Sequence, residues 1–183
     1  MSRARRWRFP IIRVAILAGL AYAAFWAATR DDISGRAVAH DGDTITLSGT
    51  RIRIFGIDAP ELGQSCQDRN GAAYACGRLA QRQLERIARA EMTCDAVETD
   101  RYGRTVAICY AGGADVGGEM VASGWARAYL SYSLRYAADE ARARKDGRGL
   151  WAGAFEDPWA FREDGLEDDL IAFAWRWVME RIF

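Results

Sequence analysis

Three short segments of this 183-residue chain place acids and arginines at spacings that suit phosphate and metal chemistry. Asp41-Gly42-Asp43-Thr44 sets two carboxylates around a glycine in a turn, a ligand pattern for a hard cation. In Arg53-Ile54-Phe55-Gly56-Ile57-Asp58-Ala59-Pro60-Glu61 a strand ends and throws out Asp58 and Glu61 on either side of a proline. Arg53 lies five residues before Asp58 on that strand, so two acids and one arginine can share a metal and a phosphate. In Thr99-Asp100-Arg101-Tyr102-Gly103-Arg104 a hairpin turn is followed at once by Arg104, whose planar guanidinium can donate two parallel bonds to a phosphate. Taken singly, each segment also reads as an ordinary polar turn.

The elements around them must bring the three turns together. Residues 36–40, 44–47 and 51–57 read as strands, with Ile52 and Ile54 on one face and Arg51, Arg53 and Phe55 on the other. Ser48-Gly49-Thr50 is a hairpin signal, and Pro60 ends strand pairing. Ala80, Leu84, Ile87 and Ala88 are spaced for a helix over 78–90. Strands over 92–98 and 104–110 follow, then a short helix over 116–123, a last strand over 125–130 and a polar helix over 133–145. The first five short strands, with a helix between the third and fourth, predict an α+β fold, a small closed five-stranded β-barrel with appended helices.

In this order and spacing, the three segments resemble the staphylococcal nuclease-like (thermonuclease) family, and Gly149-Leu150-Trp151 is similar to its closing motif. The resemblance covers roughly residues 35–155 and implies a five-stranded OB-type barrel. It implies calcium-dependent hydrolysis of phosphodiesters in DNA, RNA or both. Asp43, Asp58 and the carbonyl of Ala59 would then face Ca²⁺, with Asp41 behind them. Ala59 departs from the threonine common there, a change that a backbone ligand survives. Glu61 would be the general base, Arg53 and Arg104 would brace the phosphate, and Arg101 and Tyr102 would meet the bound nucleotide. Tyr129 or Tyr132 is placed to stack on a base. His40, the one histidine, is expected at the surface with no catalytic part.

Charge separates the chain into parts. The 25 basic and 25 acidic residues cancel, yet residues 1–30 carry six arginines and no acid. The remainder is acidic, so bulk charge does not make a nucleic-acid binder, and a local cluster must hold any such substrate. Arginines 3–8 precede an uncharged stretch over 14–29, short of the about 20 residues of a typical span yet long for a signal core. Residues 1–30 are therefore expected to be a signal peptide or membrane anchor, with the rest exported and either tethered or secreted. No protein partner is legible.

Four cysteines fit export. Setting Thr99 opposite Arg104 in the hairpin places Cys94 opposite Cys109, which predicts that bridge and leaves Cys66–Cys76. Residues 156–183 form a tail, with apolar positions over 166–178 at the spacing of an amphipathic helix expected to pack on the barrel. The competing reading is a catalytically idle OB-type module that binds nucleic acid or a protein partner at the cell envelope.

Overall fold

The computed structural model describes residues 12, 14–22 and 32–163. Two compact units divide the chain, Met1–Asp32 and Ile33–Phe183. In the first, residues 14–22 are helical and exposed. Among the described residues no helix is long and apolar enough to cross a membrane. The other residues of the expected leader, and the helix expected over 166–178, lie outside the described residues.

The strands begin with β1 (Asp32–Gly35), all but its first residue in the second unit, then β2 (Ala37–Ala39), β3 (Thr44–Leu47), β4 (Thr50–Ile54) and β5 (Ile57–Asp58). Then come β6 (Cys66–Gln67), β7 (Ala73–Tyr74), α1 (Cys76–Ile87), β8 (Met92–Thr99), β9 (Thr105–Ala111) and β10 (Ala114–Asp115). The chain continues with α2 (Val116–Ala122), β11 (Arg127–Ala128) and α3 (Ala137–Lys145), and a 3₁₀ turn spans Gly149–Ala152. The main sheet runs β1-β8-β9-β4-β3-β2, with β10 attached to β9. Its two end strands, β1 and β2, are separated in the chain by Arg36 alone, so the sheet curls until its ends meet one stretch of backbone. That curl is the barrel-like feature of the mixed α+β fold. The sheet has seven strands rather than the five expected, because β1 and β10 extend it.

The strands form where the sequence alternates. In β4, Ile52 and Ile54 point inward while Arg51 is exposed and Arg53 is half-buried. Ile45, Leu47, Ile52, Ile54, Leu84, Met92, Val116 and Met120 fill the core. Ala80, Leu84 and Ile87 turn one face of α1 into that core. No side chain caps the start of α1; the Cys66–Cys76 bridge ties its first residue to β6 instead.

Several boundaries differ from the sequence reading. The strand expected over 51–57 breaks at the turn Phe55-Gly56, so Asp58 lies on a separate strand that pairs with β11, opposite Arg127. The strand expected over 125–130 shortens to Arg127–Ala128, and the last helix begins at Ala137 rather than Ser133. The β6–β7 pair lies inside the Cys66–Cys76 loop, where no strand is expected from sequence.

The hairpin gives the expected bridge from an inexact premise. Cys94 does face Cys109 and is bonded to it, with Cα atoms 4.1 Å apart. Thr99, however, faces Thr105 rather than Arg104. A bulge between Ala96 and Glu98 absorbs one residue, leaving the inner half of the ladder in the expected register and shifting the outer half.

Candidate active site

The Asp41–Thr44 turn is built around its first acid. Asp41 Oδ1 accepts from the backbone N–H of Asp43 at 2.9 Å and of Thr44 at 2.6 Å. This bends the chain and turns the Asp43 carboxylate inward. A Cβ on Gly42 would lie 2.5 Å from Ala59 Cβ and 2.9 Å from Ala80 Cβ, so only glycine lets the turn pack against both the Ala59 segment and α1.

Arg53 joins two of the three segments. Its Nη1 donates to Asp43 Oδ1 at 2.9 Å and its Nη2 to Asp58 Oδ1 at 2.8 Å. Both carboxylates are 4 % exposed. The N–H of Ala59 donates to Asp43 Oδ2 at 3.1 Å and Thr44 Oγ1 to Asp43 Oδ1 at 3.0 Å, so neither Asp43 oxygen lacks a partner. The antiparallel β3–β4 pairing sets Thr44 opposite Arg53, which carries the Asp43 turn alongside the arginine.

Electrostatics at this cluster are tense. Burial, and then the Asp43 charge, push the Asp41 carboxyl up to about 6. Burial, and then Asp43, raise Asp58 above the ordinary carboxylate range, against the pull of Arg162 and Arg53. Burial opposes the charge on Arg53, yet Asp43 and Asp58 hold its guanidinium above the usual arginine range. Buried oxygens that repel one another suit a small hard cation. Among the described residues no group of three or more His, Cys, Asp or Glu gathers as a metal cage. Asp43 and Asp58, with the backbone carbonyl of Ala59, are the groups that would hold a cation here.

Glu61 lines the cleft. Its N–H donates to Gln64 Oε1 at 3.2 Å, and Gln64 N–H returns a bond to the Glu61 carbonyl at 2.8 Å. A Cβ on Gly77 would fall 1.8 Å from that same carbonyl, so the first turn of α1 is packed directly against the Glu61 backbone. The Glu61 side chain accepts from Arg162 Nη1 at 2.8 Å.

The hairpin tip supplies a second wall. A cleft of about 930 Å³ is lined by Asp43, Arg53 and Glu61 on one side and by Arg101, Tyr102 and Arg104 on the other. The parallel β4–β9 pairing, with Ile52 opposite Thr105, brings the tip beside Arg53. Arg104 is bonded to the Asp100 carboxylate at 2.7 Å, not to the buried acids. Burial works to raise Asp100, but hydrogen bonds from the backbone and side chain of Arg104 carry it below the ordinary range. Arg101 and Arg104 lie over the Tyr102 ring at 4.9 and 5.5 Å, and Tyr102 is 69 % exposed. Tyr132 lines the same cleft, packed 5.2 Å from Phe55 and stacked 6.0 Å from Tyr129. Its hydroxyl donates to Glu98; that bond, and then burial, push it up to about 12. His40 is exposed and bonds Thr46 Oγ1, away from the acids.

Two residues that hold the Glu61 turn have no signal in the three segments. Gln64 is buried and links the Glu61 turn to the backbone of Glu156 at 2.8 Å. Arg162 reaches Asp58 and Glu61 from the C-terminal segment. The one local hint is Asp157-Pro158, a helix-start pattern that opens the helical residues 158–163.

A curled sheet with appended helices, bearing buried acids bridged by an arginine beside an arginine-tipped hairpin, defines an OB-type domain with a carboxylate–guanidinium cleft. The chain belongs to the staphylococcal nuclease homologue family, whose profile matches residues 51–153. Among its relatives, the succinoglycan biosynthesis protein ExoI of Rhizobium meliloti is 36% identical over 141 residues, 74% of this chain and 73% of that protein. A micrococcal nuclease of Shigella flexneri is 34% identical over 140 residues, covering 67% of this chain and 75% of its own length. A protein of Haemophilus influenzae described as an uncharacterized endonuclease is 33% identical over 119 residues, 61% of this chain and 62% of its own.

Proposed function

We propose that the chain is a Ca²⁺-dependent nuclease that hydrolyses phosphodiester bonds of DNA, RNA or both. The observation that carries this reading is Arg53, bonded at once to Asp43 and Asp58 in a cleft that also holds Glu61 and Arg104. When bound at Asp43 and Asp58, the cation supplies positive charge to the phosphate oxygens. Arg53 holds the two carboxylates in place and presents its guanidinium to the same phosphate. Arg104 faces that phosphate from the hairpin wall, and the pair stabilises charge that builds in the five-coordinate transition state. Glu61 takes or orients the proton of the attacking water. Tyr102 and Arg101 hold the terminal phosphate or sugar, and Tyr132 offers a ring to a base. The micrococcal nuclease relative supports this assignment.

The proposed place of action is outside the cytoplasm, tethered or released by residues 1–30. Two disulfides support an oxidising compartment. Cleavage of labelled DNA and RNA by the full chain, with Ca²⁺ and with a chelator, tests the reading. Ca²⁺-dependent cleavage is expected, and its absence on both substrates overturns it. The second reading is an idle module that binds nucleic acid or a protein partner at the envelope; one relative is named a succinoglycan biosynthesis protein rather than a nuclease. Bisphosphate binding without turnover would select it.

A further inference from the structure

The segment that follows the family match returns to the acids of the cleft. It is held at four successive points. Ala154 and Gln67 exchange two backbone bonds at 2.8 and 3.0 Å. The Glu156 carbonyl accepts from buried Gln64. Asp157 pairs with Arg127, the residue opposite Asp58 in the β5–β11 ladder. Pro158 is buried and begins the helical residues 158–163, which carry Arg162 inward.

Arg162 then does what no residue inside the matched domain does. Its Nη2 donates to both oxygens of Asp58, at 3.0 and 3.1 Å, while its Nη1 donates to Glu61 Oε1 at 2.8 Å. One guanidinium therefore spans the proposed metal ligand and the proposed base. With Arg53 already on Asp58 Oδ1, two guanidinium groups are crowded on one carboxylate. A divalent ion that takes an Asp58 oxygen meets the positive charge of Arg162 at short range, and on Oδ1, which already accepts from both Arg53 and Arg162, it must also displace one of those bonds.

We propose that Arg162 is a positioning residue that competes with the cation: it holds Asp58 and Glu61 together while the metal is absent and sets how tightly Ca²⁺ binds. This rests on the Ca²⁺ reading of the cleft given above. Competition and simple scaffolding predict opposite signs. If Arg162 merely buttressed the site, its loss would loosen the ligands and weaken Ca²⁺ binding. If it competes, its loss frees Asp58 and removes a like charge, so binding tightens.

The experiment is calorimetric titration of the metal-free full chain with Ca²⁺ for wild type, Arg162→Gln and Arg162→Lys, with Asp58→Ala as control. Arg162→Gln is expected to bind Ca²⁺ about tenfold more tightly, as for loss of one close like charge. Arg162→Lys retains the charge without the planar fork and is expected to fall between the two. In chelator, melting temperatures of Glu61→Gln, Arg162→Gln and the double variant should be non-additive, and additive once Ca²⁺ is saturating. Unchanged or weaker Ca²⁺ binding by Arg162→Gln, with wild type binding normally, overturns the competition and leaves the nuclease reading standing. Wild type that binds no Ca²⁺ overturns both.

Discussion

The two walls of the cleft are organised in opposite ways. On the acidic wall the charged groups hold one another: Arg53 joins carboxylates ten residues and five residues distant in sequence, one from the Asp41–Thr44 turn and one from β5. On the hairpin wall the tip holds itself. Asp100 Oδ1 accepts from the N–H of Tyr102 and of Arg104, each at 2.9 Å, and Asp100 Oδ2 accepts from the Arg104 side chain. On the first wall Asp43 and Asp58 are buried and Arg53 is pinned between them, which leaves these groups little room to re-aim. On the second, Arg101 and Tyr102 are exposed, and the half-buried Asp100 and Arg104 are partners of each other within the turn. Preorganised charge belongs on the first wall and adjustable contact on the second.

That contrast can be broken at its strongest point first. Glu61→Gln removes the proposed base while keeping the side chain's size, so turnover is expected to fall about 10²–10⁴-fold. Affinity for a nucleoside bisphosphate should hold, because the lost charge acts mainly in the transition state. Equal turnover in wild type and variant would take Glu61 out of the base role. Arg53→Lys leaves a charge but cannot span Asp43 and Asp58, and a loss on the order of 10²-fold in kcat is expected, as for other preorganised donors. Arg104→Lys tests the other wall. Its partner is the local Asp100, so steady-state kinetics should show a loss of only about tenfold. A larger loss for Arg104→Lys than for Arg53→Lys would reverse the ranking of the walls.

The disulfides sharpen the comparison at smaller scale. Each closes a loop, of sequence separation 10 for Cys66–Cys76 and 15 for Cys94–Cys109. Replacing either pair with serine should cost stability of about 2–4 kcal/mol by denaturant titration. Only the first touches the acidic wall, since Cys76 abuts the Gln64 carbonyl and Gly77 packs on Glu61. Cys66→Ser/Cys76→Ser is therefore expected to lower kcat severalfold at a temperature where both variants remain folded, and Cys94→Ser/Cys109→Ser to leave it near wild type. Equal effects would mean that the Glu61 turn does not depend on the start of α1.

What the sequence made legible follows from distance along the chain. Asp41, Asp43, Arg53, Asp58 and Glu61 fall within one short stretch, and alternation in β4 already put Arg53 opposite the core face. The Cys94–Cys109 bridge was readable because a hairpin pairs near neighbours. Arg162 was not: it lies 101 residues from Glu61, in a segment whose composition only suggests a tail. Gln64 was equally silent, because a buried glutamine looks like any polar loop residue until its partner at Glu156 is known. The strands β6 and β7 are two residues each, too short for a period-two pattern to register. The break at Phe55-Gly56 was missed because Gly56 alone marks it within a β-rich run, and it is the tertiary pairing with β11 that separates Asp58 from β4.

The bulge between Ala96 and Glu98 separates two reading frames within one hairpin. Below it, Met92, Cys94 and the disulfide keep the frame of the core; above it, Asp100 to Arg104 keep a frame of their own. The slack of one residue is a genetic buffer. Insertions and deletions at the tip can be absorbed there without turning Cys94 away from Cys109. A lineage can thus vary the length and chemistry of the arginine-bearing loop while the covalently locked base of the hairpin stays unchanged.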